Sequence, residues 1–133
     1  MLRLRRKRMV IRMAKRIILG DRKSLARMAY KGTLEAAGYE VVGTFTKGMD
    51  MIGLYQQLKP DLVLSSATLG EPGGDVVTVL RLLLDSDPDA VVLLYANSAL
   101  ASEETCLEAG AKGYFEYPAR PDEMLAAVRK LVG

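Results

Sequence analysis

The sequence predicts an α/β domain built on a doubly wound parallel sheet. Short apolar runs bounded by turn residues recur along residues 16–133, at Arg16–Gly20, Tyr39–Phe45, Leu62–Leu64, Ala90–Tyr95 and Tyr114–Tyr117. Between them lie segments whose apolar residues fall at helical spacing, so strand and helix alternate strictly. Leu62, Val63 and Leu64 are apolar at consecutive positions, which fits a strand covered on both faces. Right-handed crossovers between such units place helices on both sides of one sheet.

The first strand, Arg16–Gly20, ends at Gly20-Asp21, and Ser24 is placed to cap the helix that follows. Leu25, Met28, Ala29, Leu34 and Ala36 form its expected core face, and Gly38 its stop. Tyr39–Phe45 is rich in β-formers. A second helix over Gly48–Lys59 carries Met51, Ile52, Tyr55 and Leu58 at helical spacing. Pro60 and Asp61 end it before the third strand. Asp75 can cap a third helix reaching Leu84, with Val76, Val77, Leu80, Leu83 and Leu84 apolar. After the turn-rich Asp85–Asp89 come the fourth strand, a helix over Ala101–Ala109 stopped by Gly110, the fifth strand, and a last helix opened by Pro121. The plan is flavodoxin-like, with five strands in the expected order 2-1-3-4-5 and five helices.

Composition narrows the function. The chain has 133 residues, enough for one domain with a proper core. It has no histidine, which removes the usual general base and most zinc sites. Its one cysteine, Cys106, permits no internal disulfide and points to a reducing, cytoplasmic setting. The net charge of +3 averages two unlike parts. Eight of the 19 basic residues lie in residues 1–16, which carry no acid, leaving eleven bases against 16 acids and a net −5 beyond. That acidic body argues against a nucleic-acid-binding fold. Residues 1–15 read as a basic N-terminal extension before a domain over 16–133. A solvated arm, a patch for anionic partners, and a misassigned start with Met13 as the natural first residue all fit it. Arg12 interrupts its short apolar run, which argues against a secretory signal, and no stretch approaches the roughly 20 apolar residues of a membrane span.

In an open α/β sheet, ligands and chemistry sit at the carboxyl ends of central strands. Here that place is the end of the third strand, at Ser66, followed by a loop running to Gly74. The loop's glycines lack the pattern of a phosphate cradle and read as a flexible connection. Cys106 reads as a small core residue, since nothing near it in sequence suggests an electropositive site.

Several stretches make residues 16–133 resemble the receiver domain of bacterial two-component response regulators, the CheY-like family. They are Arg16–Arg22, Lys59-Pro-Asp-Leu-Val-Leu-Ser-Ser, Leu69–Gly74, Val91–Ala96 and Ala109-Gly-Ala-Lys-Gly-Tyr-Phe-Glu-Tyr-Pro. The resemblance implies phosphoryl transfer onto an aspartate at the end of strand three. It also implies a pair of acids holding Mg²⁺, a Thr or Ser after strand four and a Lys after strand five. Phosphoryl transfer is mostly positioning and charge stabilisation, so each group has an electrostatic task.

Position by position, this chain departs from that pattern. Ser66 stands at the phosphoacceptor position, Asp21 and Arg22 at the acidic pair, Tyr95 at the Thr/Ser position and Tyr117 at the lysine position. Serine without a neighbouring base is no nucleophile. A lone Asp21 beside Arg22 makes a weak magnesium site, so Mg²⁺ binding is expected to be weak or absent, no cofactor is expected, and no enzymatic activity follows. The two tyrosines are expected to crowd the pocket. The competing reading, a shifted alignment, would need Asp61, Glu71 or Asp75 as substitute acids. The resemblance also implies a cis Tyr117-Pro118 peptide and a switch aromatic at Tyr114, for which a fixed packing role is the plainer reading.

The expected function is therefore that of a pseudo-receiver: a stand-alone signalling module that keeps the fold, lacks the phosphoacceptor and acts by binding a protein. The family's dimerisation and output face, helix 4–strand 5–helix 5, would present Glu108, Lys112, Tyr114, Arg120 and Arg129 to a partner or to a second copy. Two alternatives stay open. One is an atypical phosphoreceiver with a non-standard acceptor; the other is a small-molecule sensor with its ligand among Asp21, Ser66, Tyr95 and Tyr117. Nucleic acid enters only through the basic leader.

Overall fold

Five parallel strands form one sheet in the order β2-β1-β3-β4-β5. A computed structural model describes residues 14–69 and 75–133; the leader up to Met13 and the Gly70–Gly74 loop lie outside the described residues. The elements are β1 (Arg16–Gly20), α1 (Ser24–Ala36), β2 (Glu40–Phe45), α2 (Asp50–Leu58), β3 (Leu62–Ser66), α3 (Val76–Ser86), β4 (Val92–Ala96), α4 (Glu103–Glu108), β5 (Gly113–Glu116) and α5 (Pro121–Val132). This is the flavodoxin-like arrangement expected from the alternation of elements. Every residue of β3 and β4 is buried, as their apolar runs require.

Side chains alternate across each strand, so the sheet divides the core in two. Ile18, Val63, Leu94 and Ala96 face α2, α3 and α4, meeting Met51, Val79, Leu80, Leu83 and Cys106. Ile17, Leu19, Leu62, Leu64, Leu93 and Tyr95 face α1 and α5, meeting Tyr30, Leu34, Met124 and Val128.

Local signals set the element ends. Asp75 caps α3 by accepting from the Thr78 amide at 2.8 Å, and Ser102 caps α4 by accepting from the Thr105 amide at 3.1 Å. Gly110 follows α4 with a φ of 111°, a left-handed conformation that glycine adopts without a Cβ penalty. Pro121 opens α5. Several ends move by a residue or more: β2 starts at Glu40, β4 starts two residues after Ala90 and ends one after Tyr95, and β5 starts at Gly113. Ser24 is the first helical residue of α1 rather than its cap, because Asp21 Oδ1 already accepts the Lys23 amide at 2.8 Å and turns the chain.

One expectation is overturned. The core face of α1 is Ala26, Tyr30 and Leu34, not Leu25, Met28, Ala29 and Ala36. Leu25 is 82% and Met28 69% exposed. The helix carries two apolar stripes, and the one bearing the aromatic ring, Tyr30, turns inward.

Candidate functional site

The loops at the carboxyl ends of β1, β3, β4 and β5 converge on one cleft. Strand register places Gly20 beside Ser65 and Ser66 beside Tyr95. Asp21 follows β1 directly, and Tyr117 and Pro118 follow β5. The sheet thus gathers Asp21, Arg22, Ser66, Tyr95, Tyr117 and Pro118, all of which line a cavity of about 240 Å³.

Asp21 is only 5% exposed, and both carboxylate oxygens are engaged. Oδ2 accepts a 2.6 Å hydrogen bond from the Tyr95 hydroxyl, and Oδ1 accepts from the Lys23 amide. The Asp21 amide donates to the Phe45 carbonyl at 3.1 Å, while the Arg27 guanidinium donates to the Asp21 carbonyl at 2.8 Å. The residue is held from four sides.

Tyr95 is fully buried. Its ring stacks on Phe115 at 5.1 Å and meets Tyr30 edge-on at 5.2 Å and Tyr117 at 5.7 Å. Burial first, then its bond to the Asp21 carboxylate, hold its phenol far above the usual tyrosine range. It is therefore a neutral donor. Tyr30 is also held up by burial, and its hydroxyl is the buried side-chain polar atom without a hydrogen-bond partner among the described residues.

Ser66 is 8% exposed. Its Oγ lies 3.0 Å from Thr68 Oγ1 and accepts from the Thr68 amide at 3.2 Å. Ser65 turns its hydroxyl to the Ser66 carbonyl at 2.9 Å. The Ser66 hydroxyl thus closes a local turn, with no base beside it among these contacts.

The two tyrosines, expected to fill the pocket, line it and leave it open. Tyr95 turns into the α1/α5 half of the core, because it shares the strand face of Leu93. Tyr117 stays at the wall, where Lys23 Nζ stands 5.7 Å from its ring centroid. The cavity between Lys23, Ser66, Thr68, Asn97, Leu100 and Tyr117 remains open. Lys23, Thr68 and Asn97 were not legible as site residues, since no motif marks them.

The acids that a shifted alignment would need lie elsewhere. Asp61 sits at the opposite end of β3 and accepts from the Arg16 amide at 2.8 Å; Asp75 caps α3; Glu71 is outside the described residues. No group of three or more His, Cys, Asp or Glu among the described residues could hold a metal ion.

The remaining singled-out residues form a separate region. The Tyr114 hydroxyl donates to the carbonyls of Ala96 at 2.9 Å and Ala101 at 3.1 Å, holding the ring against the β4–α4 connection. Lys112 and Tyr114 line a shallow groove with Glu103, Leu107 and Lys130. Glu108, Arg120 and Arg129 are exposed, and Arg120 pairs with Asp122 at 3.3 Å and Glu123 at 3.5 Å in α5. The Tyr117–Pro118 peptide is cis. Cys106 is buried and its thiol is pushed up by desolvation, the state of an inert core residue.

A doubly wound sheet in the order 2-1-3-4-5, with a cleft at the carboxyl ends of its strands, is the flavodoxin-like arrangement that signal receivers share. The chain belongs to that family: the response regulator receiver domain matches residues 17–129. It is 31% identical over 122 residues to the chemotaxis protein CheY of Thermotoga maritima, covering 90% of this chain and 98% of that protein. Against CheY of Bacillus subtilis it is 31% identical over 121 residues, covering 89% and 98%. Among solved structures, a LuxR-family two-component response regulator from Aurantimonas sp. SI85-9A1 superposes with a TM-score of 0.78 at 30% identity, covering 90% of this chain and 85% of that one. The receiver domain of Thermotoga maritima CheB, at 20% identity and a TM-score of 0.78 over 90% of this chain and 96% of that one, shares the fold. No helix among the described residues is long and apolar enough to cross a membrane.

Proposed function

We propose that this chain is a pseudo-receiver, a response-regulator module that relays a signal by protein contact without taking a phosphoryl group. The observation that carries this reading is the 2.6 Å bond from Tyr95 to Asp21. It occupies the acid that would otherwise offer an oxygen to Mg²⁺, while Arg22 stands where a second acid is needed. These residues do not fit a magnesium ion, which demands several oxygen ligands in octahedral array. Ser66 in the acceptor position has no carboxylate to phosphorylate, and Tyr117 supplies no cation for phosphoryl oxygens. The α4–β5–α5 face, with Lys112, Tyr114, Arg129 and the 43% exposed Leu107, is the surface for a protein partner.

The test exposes the purified chain to acetyl phosphate, and separately to beryllofluoride, each with Mg²⁺, and follows intact mass and tyrosine fluorescence. No mass gain and no fluorescence change are expected. A single stable phosphoryl adduct, or magnesium binding at millimolar concentration, would return the chain to the phosphorelay class.

The open cavity supports a second reading, a small-molecule sensor. Its wall mixes the Lys23 ammonium, the Ser66 and Thr68 hydroxyls and the Asn97 amide with Leu69 and Leu100, the polar-and-apolar mixture of a ligand site. A thermal-shift screen of small organic acids checks it: a shift that Lys23→Ala and Asn97→Ala abolish supports it, and no shift across the set rejects it.

A further inference from the structure

We propose that a second copy of this chain docks on the outward face of α1, with the two helices antiparallel across a two-fold axis at Gly32. At about 3.6 residues per turn, Leu25, Met28, Ala29, Gly32 and Ala36 share one stripe, opposite the stripe that packs on the sheet. Leu25 and Met28 are the largest apolar side chains α1 leaves in solvent, at 82% and 69% exposure. Isolated exposed apolar residues are ordinary; a run of five without a charge along a single face marks a contact surface.

The stripe is complementary to itself, which selects a second copy as its occupant. Gly32 has no side chain, and a Cβ there would meet no atom within 4 Å among the described residues, so none of these covers the helix at that point. Two copies can therefore bring their α1 backbones together at Gly32. Antiparallel pairing about that position sets Met28 of one copy over Ala36 of the other, a large residue against a small one, on both sides of the axis. Lys31 and Glu35 lie along one flank of the stripe and are exposed. A two-fold axis lying in the interface brings that flank against itself with its direction reversed, so each Lys31 faces the other copy's Glu35. Among the described residues neither joins an ion pair within its own chain. The charges decide orientation more than affinity.

The contact is small. The 13 residues of α1 span about 20 Å, and such a stripe offers well under the ~800 Å² per partner of a standard interface. Association is accordingly weak and concentration-dependent.

The test is sedimentation velocity on the full chain from about 10 µM to about 1 mM, with circular dichroism and thermal melts confirming that each variant folds. Wild type is expected to shift from monomer to dimer across that range. Met28→Gln and Gly32→Leu, both at positions open to solvent, are expected to weaken dimerisation at least tenfold. Lys31→Glu alone does the same by facing the other copy's Glu35, and Lys31→Glu with Glu35→Lys restores it. A monomer throughout the range overturns the proposal. So does a dimer that ignores the α1 variants but is lost on Lys112→Glu, which would place the contact on the α4–β5–α5 face, or a charge-reversed double variant that fails to recover.

Discussion

The Tyr95 hydroxyl, carried on β4, reaches across the end of β3 to place a 2.6 Å hydrogen bond on the carboxylate of Asp21 beyond β1. One bond thus spans the three central strands at the end of the sheet where a receiver does its chemistry. It joins a buried acid to an aromatic that is buried on every side.

Tyr95→Phe keeps the ring stacked on Phe115 but strips the donor from a buried carboxylate oxygen. Leaving such an acceptor unsatisfied costs about 1–3 kcal/mol. Urea denaturation of the two proteins should show that loss with an unchanged m-value. Equal midpoints would mean that water or another donor replaces the hydroxyl freely.

Gly20 is small because Phe45 leaves no room. A Cβ there would collide with the Phe45 ring and come within 2.9 Å of Ser65 Oγ. Gly20→Ala is expected to destabilise the fold by about 1–3 kcal/mol through overpacking. Phe45→Leu should recover part of that loss in the Gly20→Ala background, so a double-mutant cycle measures the coupling. Additive effects would show that the two positions do not compete for the same space.

Restoring the acceptor alone should not restore phosphorylation. In Ser66→Asp, Arg22 still repels the metal and Tyr117 still stands where a cation is needed, so incubation with acetyl phosphate and Mg²⁺ is expected to add no mass. Combining Ser66→Asp with Arg22→Asp, Tyr117→Lys and Tyr95→Phe supplies the missing charges, releases the Asp21 carboxylate from its 2.6 Å bond and should yield a phosphoryl adduct. An adduct on the single variant would show that the cleft retains more of the machinery than its residues suggest.

Alkaline pH should unfold the protein through its tyrosines. Burial and the neighbouring Asp87 carboxylate push Tyr55 up to about 12, and burial raises Tyr30, Tyr95 and Tyr114 in the same direction. A raised phenol keeps its proton in the folded state after the unfolded chain has lost it. The stability these groups contribute is therefore intact below pH 10, the ordinary tyrosine pKa, and declines as pH rises from there through 12. Urea midpoints at pH 8, 10 and 11.5 check the sign, and Tyr55→Phe should flatten part of the decline. A midpoint that stays level between pH 10 and 11.5 would refute it.

Much of this was legible in the residues alone. The alternation of apolar runs and helical segments determined the five-unit α/β plan and its strand order, because only a sheet covered on both sides can hide strands such as Leu62–Ser66 and Val92–Ala96. The Lys59–Ser66 and Ala109–Pro118 stretches located the cleft by the same reading, since side-chain identity at strand ends is a local fact. Tertiary structure alone decided two things. Helix α1 carries apolar residues on both sides, so periodicity could place Leu34 inward but could not say that Ala26 and Tyr30 join it while Leu25 and Met28 face solvent. Strand β4 is apolar at every position, so nothing in its pattern said which face Tyr95 takes. The sheet settled that by setting Tyr95 beside Phe115 and over Asp21, which closed the carboxylate and left the cavity open. Where both faces of an element are apolar, neighbours rather than sequence choose between them.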